Sequence, residues 1–320
     1  MNLKQLVSKI VPKKIMSLVP STLKQEISFG FAFEKLPSYH YFLDLMKLYQ
    51  TKNLVNIDPD SFQKKIEDFP SNRETNKDNP EKTDALYATG FKWGHNHDFG
   101  TFAIKGRMKN RHLWLLSMFM DKFGVLPKSL EGKKILDIGA WTGGTSLLLC
   151  AMGAKVVAIE PIKKSVDYIN YLKYSFDIKN LEVRNISLFE CDIPEFQDSF
   201  DFVLCAGTLY YVTDPPLGLR ILFNSLKDGG SLLFESLATD SKKPIFAYRV
   251  PNPPLFEKVT FPEGGWDWFM PSPSALDQLL KDVGYENVQV SEVLNQRVLA
   301  VAERNQYKRM SRGGMSKPIR

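Results

Sequence analysis

The stretch that decides the fold is residues 134–145, Lys-Ile-Leu-Asp-Ile-Gly-Ala-Trp-Thr-Gly-Gly-Thr. Its first half is a short apolar run, which predicts a buried β-strand. Gly139, Gly143 and Gly144 follow, and a glycine-rich turn between a strand and a helix lets a ligand approach the backbone closely. The pattern therefore predicts a strand, a ligand-binding turn and a helix over Gly143–Met152.

Downstream of this turn, short apolar runs alternate with amphipathic stretches at helical spacing. Strands that alternate with helices predict right-handed crossovers and a largely parallel sheet, with the ligand at the carboxyl ends of the strands. Near residue 290, two apolar runs follow each other without a helix between them, so one of these strands must run antiparallel. The predicted strands are Ala154–Ile159, Leu181–Ile186, Phe200–Cys205, Ser231–Glu235, Asn287–Val290 and Gln296–Ala302, and the predicted helices are Ser165–Phe176 and Leu217–Leu226.

The region before residue 133 has a different pattern, mainly helical and then polar. Apolar side chains at helical spacing predict helices over Tyr39–Leu54 and Asp58–Phe69. The polar run that follows lacks apolar periodicity and predicts a linker. The predicted division is a helical N-terminal extension over 1–70, a linker or mobile loop over 71–84, an α/β ligand-binding domain over 85–305 and a basic tail over 306–320.

Composition places the chain among ordinary globular proteins, with 43% hydrophobic and 24% charged residues. The formal net charge of +6 is compatible with an RNA or an anionic surface as partner but does not require one. Three cysteines without paired spacing predict neither a zinc site nor a disulfide framework, which favours a reducing cytoplasm.

Lysines interleaved with apolar residues over 1–24 predict a short helix on the body of the protein. No apolar run is long enough for stable membrane insertion.

Two carboxylates lie where the first two strands of the α/β region end. Asp137 stands beside the glycine turn, where it suits an ammonium group or the ordering of the backbone. Glu160 follows the turn by about 20 residues, a position from which a carboxylate accepts both hydroxyls of a ribose. After the third strand, Glu190 and Cys191 lie in a polar loop that could cap an adenine. These positions predict a site for a cofactor that contains adenosine, and they do not distinguish NAD from S-adenosylmethionine.

The segment after the fourth strand indicates a protein family more specifically than the glycine turn does. It contains the turn Gly207-Thr208-Leu209-Tyr210, then Asp214-Pro215, a helix, and Lys227-Asp228-Gly229-Gly230 before the next strand. With these features, residues 130–305 resemble the S-adenosylmethionine-dependent class I methyltransferases. The resemblance implies a Rossmann-like α/β sheet, mostly parallel with an antiparallel last strand, and S-adenosyl-L-methionine as cofactor. The candidate cofactor-binding residues are Asp137, Gly139, Ala140, Gly143, Glu160, Pro161, Glu190, Cys191, Ala206 and Tyr210.

A closer resemblance is to the enzymes that carboxymethylate the wobble uridine of tRNA with a carboxylated S-adenosylmethionine. Their pattern Gly-x-Leu-Tyr-His-x-x-x-x-Pro is similar to 207–216, and their Phe-Ile-Pro-Ser helix start is similar to 269–274. This resemblance implies that Lys92, Tyr210 and Arg297 contact the extra carboxylate. The glycine turn departs from the family's Gly-x-Gly-x-Gly and is closer to that of relatives that use the plain cofactor. Methyl and carboxymethyl transfer therefore both stay open.

Methyl transfer is an in-line displacement that needs alignment and water exclusion more than a catalytic base. Tyr210, His95 and His97 are the candidate catalytic residues, and no metal site is expected because the histidine spacing lacks a third distant ligand. Acceptor-side candidates also include Tyr211 and the aromatic run 266–269, which forms either a lid or a packed loop. The acceptor is a small molecule, a glycan or a tRNA, and no feature indicates the oligomeric state.

A basic run, Lys105 to Arg111 followed by His112, either contacts phosphates or forms a solvated helix face. Two other function classes compete with a transferase. A non-catalytic scaffold that retains cofactor binding is disfavoured by the complete set of candidate cofactor residues. An NAD-dependent oxidoreductase would need a Tyr-x-x-x-Lys relay, which residues 210–214 do not supply.

Overall fold

The computed structural model describes residues 36–69, 93–248 and 269–305. Several predictions concern residues outside these ranges, namely the helix over 1–24, the linker over 71–84, Lys92, the aromatic positions 266–268 and the basic tail over 306–320.

The strands are β1 (His97–Asp98), β2 (Ala103–Ile104), β3 (Lys134–Ile138), β4 (Lys155–Ile159), β5 (Leu181–Arg184), β6 (Phe200–Ala206), β7 (Leu226–Leu237), β8 (Phe246–Tyr248), β9 (Phe269–Pro271), β10 (Glu286–Val290) and β11 (Arg297–Arg304). Seven of them form one sheet in the order β10-β11-β7-β6-β3-β4-β5. The pairs from β7 to β5 are parallel, whereas β11 runs antiparallel to both of its neighbours. The predicted Rossmann-like α/β sheet with an antiparallel last strand is confirmed.

Both faces of the central strands are buried, which explains their continuous apolar runs. In β3, Ile135 packs into the core on one face of the sheet, whereas Leu136 and Ile138 pack into the core on the other. The same alternation holds in β4. Helices therefore cover both faces and leave the carboxyl ends of the strands as the edge at which a ligand can bind.

The helices are α1 (Tyr39–Met46), α2 (Pro59–Asp68), α3 (Arg111–Ser117), α4 (Gly144–Ala151), α5 (Lys163–Ser175), α6 (Pro215–Ser225) and α7 (Pro273–Val283). Three of them begin with a polar cap followed by proline. The side chains of Asp58, Asp214 and Ser272 each accept a hydrogen bond from a first-turn N–H, and proline fits the first helical position because it has no N–H to satisfy. The described helices are all too short or too polar to cross a bilayer.

The N-terminal helices differ in one respect from the prediction. The single helix predicted over Tyr39–Leu54 ends at Met46 and continues as two short 3-10 turns, Lys47–Tyr49 and Thr51–Asn53. Gln50, between the turns, is extended, with φ −93° and ψ 154°, and this breaks the helical hydrogen-bond pattern. The apolar side chains whose spacing suggested one helix are therefore divided between a helix and the two turns after it.

Helices α1 and α2 share a core with the α/β sheet. Phe62 of α2 is fully buried, and its ring contacts Tyr171 and Phe176 at the end of α5, with ring centroids 5.7 and 5.5 Å apart. Tyr49 donates a hydrogen bond of 2.7 Å to the carbonyl of Leu147 in α4. The described part of the N-terminal extension is thus packed onto one face of the sheet.

We expect Phe62→Ala to lower the free energy of unfolding of the whole chain by about 3–5 kcal/mol, because it opens a cavity among buried aromatic rings. Urea denaturation followed by tryptophan fluorescence measures the change. Leu48→Ala is the matched control, since Leu48 is 51% exposed. A cost below about 1 kcal/mol for Phe62→Ala would show that α2 is not part of the cooperative core.

Candidate functional site

The turn after β3 has a backbone that only glycine adopts easily at two positions. Gly139 and Gly143 have φ of +71° and +77°, in the left-handed region. A Cβ atom on Gly139 would lie 2.5 Å from Oγ1 of Thr208, and that hydroxyl donates a 3.1 Å hydrogen bond to the carbonyl of Ile138. The turn is therefore held close to the segment that follows β6.

Glu160 binds the backbone of this turn. Its carboxylate accepts a 2.8 Å hydrogen bond from the N–H of Trp141 and a 3.0 Å hydrogen bond from the N–H of Ile162. The side chain is only 4% exposed, and burial raises the pKa of the Glu160 carboxyl to about 7. The structure thus places Glu160 directly against the glycine turn.

Asp137 faces the first turn of α4. Its carboxylate oxygen Oδ2 accepts hydrogen bonds from Oγ1 of Thr145, at 2.8 Å, and from Oγ of Ser146, at 2.6 Å. The carboxyl group is buried, and desolvation raises its pKa. Asp137 therefore links the first turn of α4 to the end of β3 through two side-chain hydroxyls.

In the loop proposed to cap an adenine, residues of one short turn form hydrogen bonds with each other. The Glu190 carboxylate accepts a 2.7 Å hydrogen bond from the N–H of Ser187 and forms a capping box with it. Cys191 is buried and its thiol lies 3.5 Å from the carbonyl of Ser187. Phe189, at 39% exposed, and Glu190 are both exposed in this turn, whereas Cys191 is buried.

Backbone contacts place the remaining candidate residues around the same edge. The N–H groups of Gly139 and Ala140 both donate to the carbonyl of Ile159 at 3.0 Å. Asn185 donates to the carbonyl of Pro161 at 2.9 Å, and Ala206 ends β6 next to Gly207. Lys92 lies outside the described residues.

Tyr210 and Arg297, two of the residues that the resemblance assigned to the extra carboxylate, lie next to each other near the end of β7. The guanidinium carbon of Arg297 lies 5.2 Å from the centroid of the Tyr210 ring. Its Nη1 atom is 3.4 Å from Oε1 of Glu235, a fully buried carboxylate near the end of β7. The other oxygen of Glu235 pairs with Nη2 of Arg111. Two guanidinium groups thus surround one carboxylate, which leaves one positive charge in the cluster.

Arg111, Glu235 and His112 were not recognised as site residues in the sequence. The basic run was interpreted as a phosphate contact or a solvated helix face, and the structure corrects this for Arg111 and His112. Both are buried, at 7% and 1% exposed, whereas Lys105, Arg107 and Lys109 are exposed. The signal was their position at the start of α3, directly before its apolar residues, since a charge buried there must find a partner.

The two histidines proposed as catalytic lie in different surroundings. His95 has its ring 6.1 Å from the ring of Trp141 and therefore lies beside the glycine turn. His97 is buried, stacks on Phe99 with centroids 3.8 Å apart and has Nε2 3.3 Å from the carbonyl of Tyr49. These contacts place His97 in the core under the N-terminal segment. No group of three or more His, Cys, Asp or Glu side chains in the described residues is arranged to hold a metal ion.

Glu160 predicts a specific pH dependence of stability. The pKa of its carboxyl rises from 4.5 in the unfolded chain to about 7 in the fold, so the folded state keeps the proton longer as pH increases. We expect this group to remove about 2–3 kcal/mol from the free energy of unfolding between pH 5 and pH 8. Urea denaturation at both pH values should show a smaller decrease for Glu160→Gln than for the unmodified chain. Equal decreases would contradict the raised pKa.

Comparisons with known proteins show the family to which the chain belongs. A family model described as a methyltransferase domain matches residues 115–290, more than half of the chain. The tRNA U34 carboxymethyltransferase of Alteromonas mediterranea is 27% identical over 183 residues, which cover 56% of this chain and 53% of that protein. The enzyme of the same name from Helicobacter pylori strain G27 is 31% identical over 170 residues, which cover 52% of this chain and 60% of that protein. The chain thus spans about half the length of the curated relatives it matches.

A solved structure, phosphoethanolamine N-methyltransferase 2 from Haemonchus contortus in complex with S-adenosyl-L-methionine, aligns with a TM-score of 0.47 and 14% identity. The alignment covers 62% of this chain and 53% of that chain. The resemblance to class I methyltransferases near the wobble-uridine carboxymethyltransferases is confirmed by the family model and the relatives. The chain belongs to the methyltransferase-domain family.

Proposed function

We propose that this chain is an S-adenosylmethionine-dependent methyltransferase that transfers a methyl group in line to an acceptor. The observation that carries the proposal is the buried Glu160 carboxylate held against the Gly139–Gly144 turn, at the carboxyl ends of β3 and β4. The membership of the chain in a methyltransferase-domain family supports it.

The residues at this edge fit an adenosyl cofactor. Each oxygen of Glu160 accepts one backbone N–H and has a further lone pair with which to accept a ribose hydroxyl. Gly139 and Gly143 adopt a left-handed conformation and have no Cβ atom, so at these two positions the turn has no side chain of its own to keep a ligand from its backbone. Asp137 fixes the helix that follows and so holds the turn in place.

The bound sulfonium would supply an electrophilic carbon. The chain would hold the acceptor in line with that carbon and exclude water from the site. Tyr210, 5% exposed, and Tyr211 pack with ring centroids 4.3 Å apart after β6, where they would form a wall beside the transferred group. In-line transfer depends on such alignment and on water exclusion. The acceptor we propose is a small molecule, a glycan or a tRNA.

Carboxymethyl transfer to a tRNA wobble uridine is the second candidate. The arrangement of Arg297 over Tyr210, with Arg111 behind Glu235, favours it, because the positive charge left in this cluster suits one more carboxylate. Two relatives are named tRNA U34 carboxymethyltransferase. Glu235 already provides the two arginines with one carboxylate from the chain itself. The cluster is therefore also compatible with the plain cofactor, which lacks the extra carboxylate.

Titration calorimetry with S-adenosylhomocysteine tests the main proposal. We expect Glu160→Ala to weaken binding by about 1.5–3 kcal/mol, the value of a hydrogen bond to a charged group. Glu182→Ala is the matched control, because Glu182 lies on the neighbouring β5 with its side chain 51% exposed. Absence of heat with the unmodified chain would remove the transferase proposal, and unchanged affinity in Glu160→Ala would remove Glu160 from the site.

Competition between carboxylated and plain S-adenosylmethionine tests the second candidate. If Arg297 binds the extra carboxylate, the unmodified chain prefers the carboxylated form, and Arg297→Ala reduces that preference by about 10- to 100-fold. Arg107→Ala, at an exposed arginine, should keep the preference. An unmodified chain without any preference would eliminate the carboxymethyl candidate and leave methyl transfer in place.

A further inference from the structure

Two histidines beside the glycine turn, the buried His112 and the half-buried His95, have buried ring nitrogens without a hydrogen-bond partner among the described residues. Nδ1 of His95 and both ring nitrogens of His112 are buried and make no hydrogen bond with any described residue. His112 is 1% exposed, and the two ring centroids are 4.5 Å apart. Buried polar atoms in folded proteins nearly always have a hydrogen-bond partner. A cluster of three such nitrogens therefore indicates a group that is bound there in the working protein.

The cluster faces the N-terminus of α4. A Cβ atom on Gly144, the first residue of α4, would lie 2.7 Å from Nδ1 of His95 and 3.2 Å from Cδ2 of His112. No side chain in the described residues caps this helix, so its first N–H groups are available to an anion. The imidazoles and the N-terminus of α4 thus lie at the same turn whose backbone donates to Glu160.

The charges around the cluster suit a ligand that carries both an anion and a cation. Burial lowers the pKa of His95 to about 3 and that of His112 well below its ordinary value, so both rings are neutral near pH 7. A neutral imidazole has one donor and one acceptor nitrogen. The neighbouring Arg111 is a cation paired with Glu235. The acceptor nitrogens suit an ammonium, whereas the donor nitrogens, the helix end and Arg111 suit a carboxylate.

We infer that His95 and His112 bind the α-amino acid end of the cofactor, with its carboxylate toward the N-terminus of α4. This inference rests on the proposed function and adds two binding residues to it. The ribose end at Glu160 and the amino acid end at the histidines then lie on either side of the glycine turn. His95 acts here as a binding residue for the cofactor and not as a base for the acceptor.

A comparison of two ligands distinguishes binding of the amino acid end by the histidines from a general effect of the substitutions on the shape of the pocket. S-adenosylhomocysteine and 5′-methylthioadenosine share the adenosine and the thioether sulfur, but only the first has the amino acid end. We expect His112→Phe and His95→Phe each to weaken S-adenosylhomocysteine binding by at least about tenfold. Binding of 5′-methylthioadenosine should change by less than about twofold, which also shows that the variant is folded. Titration calorimetry measures both ligands.

His40→Phe is the matched control, because His40 is an exposed imidazole on α1, and it should change neither affinity. If His112→Phe does not fold, His112→Gln and His95→Phe provide the same comparison. Equal weakening of both ligands, or of neither, would overturn the inference and assign the nitrogens to bound water or to pocket shape. If the unmodified chain bound neither ligand, the proposed function itself would fail and the inference with it.

Discussion

The hydrogen bond from the Trp141 N–H to the Glu160 carboxylate is the contact on which the site depends. It joins the turn after β3 to the end of β4 at a distance of 2.8 Å, and it does so in a buried environment where an unpaired carboxylate would be costly. The left-handed glycines allow the turn to come this close. Because β3 is central in the sheet and packed on both faces, the position of this pair is fixed by the whole α/β core.

A second buried cluster defines the other side of the site. Glu235 lies between Arg111 and Arg297, contributed by three different parts of the chain. Arg111 opens α3, a helix upstream of the sheet that packs against the N-terminal extension and α4. The extension therefore influences the site through packing: its helices support the segment that carries His95, Arg111 and His112. The residues before the glycine turn are thus connected by packing to the residues for which cofactor binding is proposed.

The sheet was predictable from the sequence because its signals are local. The apolar run at 134–138 followed by glycines, and the alternation of apolar runs with amphipathic stretches after it, depend on neighbouring residues only, and the structure agrees with the predicted order of the sheet's strands. The cluster around Glu235 was not predictable in full. Arg111 and Glu235 are far apart in sequence, and their pairing depends on how α3 packs against the sheet. Charge patterning suggested an exposed face for Arg111, whereas tertiary packing buries it.

The central claim is that the turn and Glu160 form one wall of a pocket for an adenosyl cofactor. A crystal structure of the chain with S-adenosylhomocysteine tests it most directly. The account predicts electron density for the ligand over Gly139, with the ribose hydroxyls within hydrogen-bond distance of the Glu160 carboxylate. Density for the ligand elsewhere, or a turn covered by side chains with no space for a ribose, would contradict it.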